Sequence, residues 1–179
     1  MKSLRTSFCL TFAFFSLLSF KSFSQNIEQK DSVRTKLTQV ARGIMTRSGI
    51  CTLITLDDNG LPMARAMDPF SPEEDFTVWF GTNPYSRKVK QIKNNPAVTL
   101  YYLDTDASGY VVIHGAAELV NDASEKETHW KDAWNAFYPN KTEDYLLIKV
   151  TPNWMEVLST THGIIGDPKT WETPTVVFD

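Results

Sequence analysis

The chain has 179 residues, 42% of them hydrophobic and 22% charged, with 18 basic against 21 acidic side chains for a formal charge of -3. That length suits one ordinary domain with a real core, and that charge balance argues against nucleic acid or anionic lipid as the main partner. The only cysteines are Cys9 and Cys51, so a disulfide framework is excluded as the basis of the fold.

The first 24 residues, MKSLRTSFCLTFAFFSLLSFKSFS, read as a cleaved signal peptide. Lys2 and Arg5 give a basic start, Phe8 to Phe20 an apolar run, and Ser22 and Ser24 a small-residue site before Gln25. The apolar run is shorter than the ~20 residues that span a bilayer, so no stable membrane anchor is expected after cleavage. The expected location is periplasmic or secreted, with 25–179 as a single domain. Removing the leader would take the formal charge from -3 to -6 and leave Cys51 as the sole cysteine.

Residues 27–46 suit an amphipathic helix, with Ile27, Val33, Leu37, Val40, Ala41 and Ile44 as its apolar stripe. CTLITL (51–56) reads as a strand, Asp57-Asp58-Asn59-Gly60 as a hairpin turn, and LPMARAMD (61–68) as the returning strand. After the acidic loop at Glu73, Glu74 and Asp75 comes a buried-looking strand, FTVWFG (76–81).

In GTNPYSRKVKQIKNNP (81–96), Thr82, Asn83 and Pro84 resemble a helix start and Asn94-Asn95-Pro96 a stop. Tyr85, Val89 and Ile92 would then face the core. AVTLYYL (97–103) and GYVVIHGAAELV (109–120) read as two more strands. Residues 122–138 place Trp130, Trp134 and Phe137 at helical spacing. YLLIKVTPNWMEVL (145–158) reads as a last long strand, followed by an irregular tail. Six strands joined mostly by hairpins argue for a mainly β (α+β) class, a small closed antiparallel barrel flanked by helices.

The helix after residue 81 carries an electrostatic oddity. Arg87 and Lys88 crowd the positive end of the helix dipole, where cations cost roughly 0.3–1 kcal/mol each. Arg65, on a strand between small residues, can join them if the strands are neighbours. Together with Thr82, Ser86 and the free N–H groups of the helix start, these cations would suit an anion, most simply a phosphate. A solvated helix face accounts for the same spacing, and both readings stay open at this point.

The order Arg65-Ala66-Met67, Phe80-Gly81-Thr82, Ser86-Arg87-Lys88, within WFGTNPYSRKVKQIKNNPAVTLYY, resembles the pyridoxamine 5′-phosphate oxidase-like, FMN-binding split barrels. YVVIHGAAELVND (110–122) and HWKDAWNAFYPNKTEDYLLIKVTP (129–152) are most similar to the general-stress-protein branch of that superfamily. The resemblance covers roughly residues 35–158 and implies a six-stranded antiparallel split β-barrel. It implies that Arg65 and Lys88 hold the FMN phosphate, helped by Ser86 and Arg87. Thr82 would bond the ribityl chain or ring edge, and the backbone around Ala66 and Met67 would line the isoalloxazine ring. A homodimer with the flavin at the subunit interface is also implied, with the Tyr110 region reaching the flavin bound by the other chain.

The departures bear on the reaction. Where the true oxidases carry a further lysine, this chain has Asp68-Pro69-Phe70, and Gly81 stands in place of an aromatic residue. The tail offers His162 but no Arg-x-His pair, and Leu158 replaces an aromatic residue usual in the stress branch. These changes argue against vitamin B6 oxidation and leave the phosphate cradle intact. The expected function is an FMN-dependent oxidoreductase acting with a small-molecule redox partner, with no catalytic side chain assigned. The alternatives are a non-catalytic flavin-binding or stress-response protein, or the same barrel holding haem or a deazaflavin.

Among the remaining candidates, His114 reads as a packed strand residue, His129 as a helix-surface residue and His162 as a loop residue. Cys51 reads as a buried small hydrophobe without the partners a thiol nucleophile needs. No metal-ligand spacing is present.

Overall fold

A computed structural model describes residues 10–178, with side chains described from residue 29 onward. The expected leader, 1–24, therefore falls outside the described side chains, and residues 1–9 outside the described chain altogether. The chain divides into two units, Met1–Lys36 and Leu37–Asp179. Helix α1 is Leu10–Ser48. No helix among the described residues is long and apolar enough to cross a membrane.

In the second unit, α1 buries Leu37, Val40, Ala41, Ile44 and Met45, the spacing expected of an amphipathic face. Val33 of the expected stripe is 52% exposed, and the side chain of Ile27 lies outside those described. Arg47 in the last turn, where a cation complements the helix dipole, pairs with Asp104 at 2.6 Å.

Seven strands form one antiparallel sheet: β1 Cys51–Leu56, β2 Pro62–Met67, β3 Val78–Thr82, β4 Ala97–Leu103, β5 Gly109–Val120, β6 Leu146–Ser159 and β7 Thr175–Val177. Their order is β2-β1-β4-β5-β6-β3, with β7 on β6. The β1–β2 turn closes as the Asp-Asp-Asn-Gly sequence demands. Asp57 Oδ1 accepts from the N–H groups of Asn59 and Leu61, and Gly60 takes the left-handed conformation at φ 79°.

The sheet curls because β6 changes partners along its length. It pairs with β5 throughout, with β3 at residues 146–150 and with β7 at 154–156. A register shift between His114 and Gly115 bends the β5–β6 ladder. A Cβ on Gly115 would stand 2.3 Å from the Thr151 carbonyl oxygen, so only glycine fits there. The two ends of the sheet, β2 and β3, are not joined by a ladder. They meet at the isolated bridge Pro69–Phe80, which makes the barrel split rather than closed. Leu53, Leu100, Val111, Ile113, Ile148, Val150, Met155 and Val157 fill its interior.

Three sequence expectations change. The tail is not wholly irregular, since Thr175–Val177 adds the seventh strand. Residues 122–138 are not one helix but α3, Ala123–Thr128, followed by a 3-10 turn, Asp132–Ala136. Asp122 caps α3, and the chain then bends so that Lys131 and Trp134 can reach Asp68. The helix after β3, α2, is Arg87–Asn94 and starts later than Thr82-Asn83-Pro84 suggested. Asn83 Oδ1 accepts from Tyr85 N and its carbonyl from Ser86 N, which makes residues 83–86 a turn.

Candidate functional site

The late start of α2 sharpens the electrostatic oddity, because Arg87 and Lys88 become its first two residues. The first turn holds no acidic residue, and Ser86 makes no side-chain cap. The leading N–H groups of the helix are thus left without the usual capping oxygen. Ser86 Oγ instead lies 3.2 Å from Thr82 Oγ1.

Arg65 stands opposite Leu53 in the β1–β2 ladder, which turns its side chain to the inner face of the sheet. There Nη1 donates to Thr55 Oγ1 at 2.8 Å and Nη2 to Gln91 Oε1 at 3.0 Å. Thr55 is fully buried and donates to the same Gln91 oxygen at 2.6 Å. Burial and the neighbouring charge of Arg87 hold the Arg65 guanidinium below its ordinary pKa. Burial and the charge of Arg65 do the same to the Lys88 ammonium. Three cations thus converge where β2 meets the start of α2. No acidic side chain among the described residues pairs with any of them. Arg65 and Lys88 are partly buried and Arg87 is exposed beside them. Partly buried like charges without a counter-ion are destabilising by themselves, and an anion relieves them.

The remaining predicted residues are placed as follows. Ala66 lies exposed on the opposite face of β2, and Met67 packs into the core, so of these two the backbone is what the site can use. Tyr85 does not face the core. It is 86% exposed, because it precedes the helix and the helical period does not apply to it. Gln91 takes a buried place beside Val89 and Ile92. Sequence reasoning passed over Thr55 and Gln91, though in CTLITL the alternation that buries Cys51 and Leu53 also buries Thr55. A buried hydroxyl needs a partner.

Helix α2 is tied to the hairpin that carries Arg65. Lys90 Nζ and Asn94 Nδ2 both donate to Asp58, at 2.5 and 2.7 Å. On the outer side of β3, the space above Gly81 is filled by the rings of Trp134 and Tyr145. Asp68, where the resemblance leads one to look for a lysine, accepts from Lys131 Nζ at 2.6 Å and Trp134 Nε1 at 3.3 Å.

The histidines lie outside the cradle. His114 packs on the strand as expected, stacked on Trp154 at 4.0 Å. His129 is not on a helix surface but stacks on Trp79 at 4.2 Å. His162 sits in a turn, its Nδ1 2.9 Å from Ser159 Oγ. Cys51 is buried. Among the described residues no group of three or more His, Cys, Asp or Glu could hold a metal ion.

Residues 35–166 match the family described as pyridoxamine 5′-phosphate oxidase like. No curated protein sequence matches the chain. Solved structures share the fold. One, related to general stress protein 26 of Bacillus subtilis, comes from Clostridium acetobutylicum. It has 23% identity and a TM-score of 0.65, and the match covers 80% of this chain and 95% of that one. General stress protein 26 from Bacillus anthracis aligns at 24% identity and TM-score 0.58, over 70% and 93% of the two chains. A protein from Listeria innocua described as a pyridoxamine 5′-phosphate oxidase aligns at 22% and 0.56, over 65% and 93%.

Proposed function

The chain belongs to the pyridoxamine 5′-phosphate oxidase like family, and from that premise we propose that it is an exported FMN-binding flavoprotein with redox activity. One observation carries the reading. Arg65, Arg87 and Lys88 converge without acidic partners on the uncapped start of α2. A phosphate dianion matches that arrangement in charge and in donor geometry.

Arg65 and Lys88 hold the phosphate, with Ser86 and Arg87 beside them. Thr82 bonds the ribityl chain or ring edge, and the backbone at Ala66 and Met67 lines the ring. When bound, the isoalloxazine ring supplies the electron chemistry, so no protein nucleophile is required. A second copy of the chain covers the outer sheet face, where Ile54, Leu56, Tyr101 and Val112 are only partly buried. In that homodimer the flavin lies at the subunit interface, within reach of the other chain's Tyr110 region.

An absorbance scan of the purified protein, followed by FMN titration of wild type beside the Arg65→Ala/Lys88→Ala double variant, tests the reading. Flavin bands and saturable binding that the double variant abolishes support it. A protein that stays colourless in excess FMN overturns it. The same scan separates haem, by its Soret band, and a deazaflavin, by the missing band near ~450 nm, as those cofactors' own chemistry dictates.

One observation favours a non-catalytic binding protein of the same cofactor: no arginine follows Arg87, so the late Arg-x-His pair is missing. Reduction of the bound flavin by NAD(P)H faster than that of free FMN decides for turnover.

A further inference from the structure

A partly buried arginine is ordinarily neutralised by a carboxylate. This protein makes such a pair at Arg47, exposed itself but set on buried Asp104, where Nε and Nη2 donate to the two carboxylate oxygens at 3.0 and 2.6 Å. Arg65 is treated differently. Its two terminal nitrogens meet two neutral oxygens, Thr55 Oγ1 and Gln91 Oε1. The circuit is closed and directional. Arg65 Nη1 donates to the Thr55 hydroxyl, the hydroxyl donates on to Gln91 Oε1, and Nη2 donates to the same oxygen. Since a guanidinium cannot accept, the amide must present its oxygen, not its nitrogen, to this pair. Gln91 is 7% exposed and Thr55 fully buried, so the clamp is part of the core and not a surface accident.

Resting on the flavin-phosphate reading, we propose that Gln91, seconded by Thr55, is the specificity-determining positioning residue of this site. It fixes the Arg65 guanidinium with a neutral oxygen where a carboxylate of the same shape would fit. The charge of Arg65 is thereby reserved for a dianionic phosphomonoester. Gln91 makes no claim on the ligand itself and acts through Arg65. An internal glutamate there would supply the counter-charge that the ligand otherwise supplies, and the incoming phosphate would lose one of its cations. Selectivity for the phosphorylated flavin over the unphosphorylated one then resides in a side chain on the far side of the arginine.

The test compares FMN with riboflavin, which lacks the phosphate, on wild type and Gln91→Glu, with the thermal midpoint of each protein recorded. The expected result has three parts. Wild type prefers FMN. Gln91→Glu loses at least tenfold in FMN affinity with riboflavin affinity within twofold of wild type. Its thermal midpoint is no lower, because a buried ion pair has been completed. A purely structural role for Gln91 would weaken both ligands together or lower the midpoint. Gln91→Glu that binds FMN within twofold of wild type overturns the proposal.

Should Gln91→Glu fail to fold, Gln91→Met, which removes the acceptor without adding charge, and Thr55→Ser, which keeps the hydroxyl, decide. A several-fold loss confined to FMN in the first and none in the second supports the clamp, and equal FMN affinity in both overturns it. If wild type itself does not distinguish FMN from riboflavin, the phosphate reading fails before the clamp is reached, and that arm is separate from the variants.

Discussion

Trp134 lies directly over Gly81: a Cβ added to the glycine would stand 2.5 Å from Trp134 Cζ3 and 2.7 Å from Tyr145 Cε2. The indole is held there by Asp68, which accepts from both Trp134 Nε1 and Lys131. The missing aromatic residue at position 81 is therefore replaced in space by rings from the segment after α3. Gly81→Ala should destabilise the protein by about 1–3 kcal/mol, the usual range for overpacking. Urea unfolding measures it. In a Trp134→Ala background the same substitution should lose most of its effect, a departure from additivity of about 1 kcal/mol or more. Equal penalties in the two backgrounds would rule out this packing account.

That arrangement also marks where the sequence could be read and where it could not. The strands 51–56, 97–103 and 109–120 have the bounds that alternation and flanking turns suggested, because those signals are local. The cations of the site were visible for a similar reason, as charges misplaced at a helix start. What was missed depends on contacts distant in sequence. Gln91 is buried because Arg65 and Thr55 need its oxygen, 26 and 36 residues away. The expected helix over 122–138 gives way to the Asp68–Lys131 contact, 63 residues apart. Tyr85 stays outside the core stripe because the helical period begins only after it. None of these is encoded in a window of neighbours.

Arg65 and Lys88 should contribute unequally to phosphate binding. Arg65 is pre-oriented by two hydrogen bonds, whereas the partly buried Lys88 ammonium makes none among the described residues. A charge-assisted hydrogen bond contributes about 1.5–3 kcal/mol, or roughly 10- to 150-fold in affinity. Arg65→Ala should fall toward the upper end of that range and Lys88→Ala toward the lower, read by flavin fluorescence titration. Wild-type affinity should also weaken as salt rises, because exposed Arg87 is screened. Affinity independent of salt and of both substitutions would contradict the cradle.

Acid should act through Asp104. Its carboxyl is held below the usual carboxylate range, first by the hydrogen bond from Arg47 and then, against burial, by Thr105 N. A carboxyl with a depressed folded pKa adds stability that is fully present above its unfolded value of about 3.9. That stability is lost as pH falls through the lower, folded value. Wild type should lose stability between pH ~5 and ~2 more steeply than Asp104→Asn, which cannot titrate. Thermal midpoints collected across that window test the sign, and parallel curves would remove Asp104 from the acid response.

Cys51 should be inert in the folded protein. It is 2% exposed at the start of β1, and burial pushes its thiol up to about 12, with the Tyr102 hydroxyl offsetting little of that rise. Only the thiolate attacks a disulfide reagent. At pH 8 a thiol of pKa ~12 is thiolate in roughly one molecule in 10,000, against about a quarter for a free cysteine of pKa ~8.5. The greater nucleophilicity of a high-pKa thiolate recovers only part of that loss, so labelling is slowed before steric exclusion is counted. Reaction with an aromatic disulfide reagent, resolved by residue with mass spectrometry, should leave Cys51 unmodified natively and modify it at once in denaturant. Labelling that is slow but rises with urea below the unfolding midpoint would report local opening of β1. Since β1 also carries Thr55, FMN should suppress that opening, which ties thiol protection to occupancy of the cradle. Rapid native labelling that FMN leaves unchanged would show that the β1 start is open in the folded state and separate from the site.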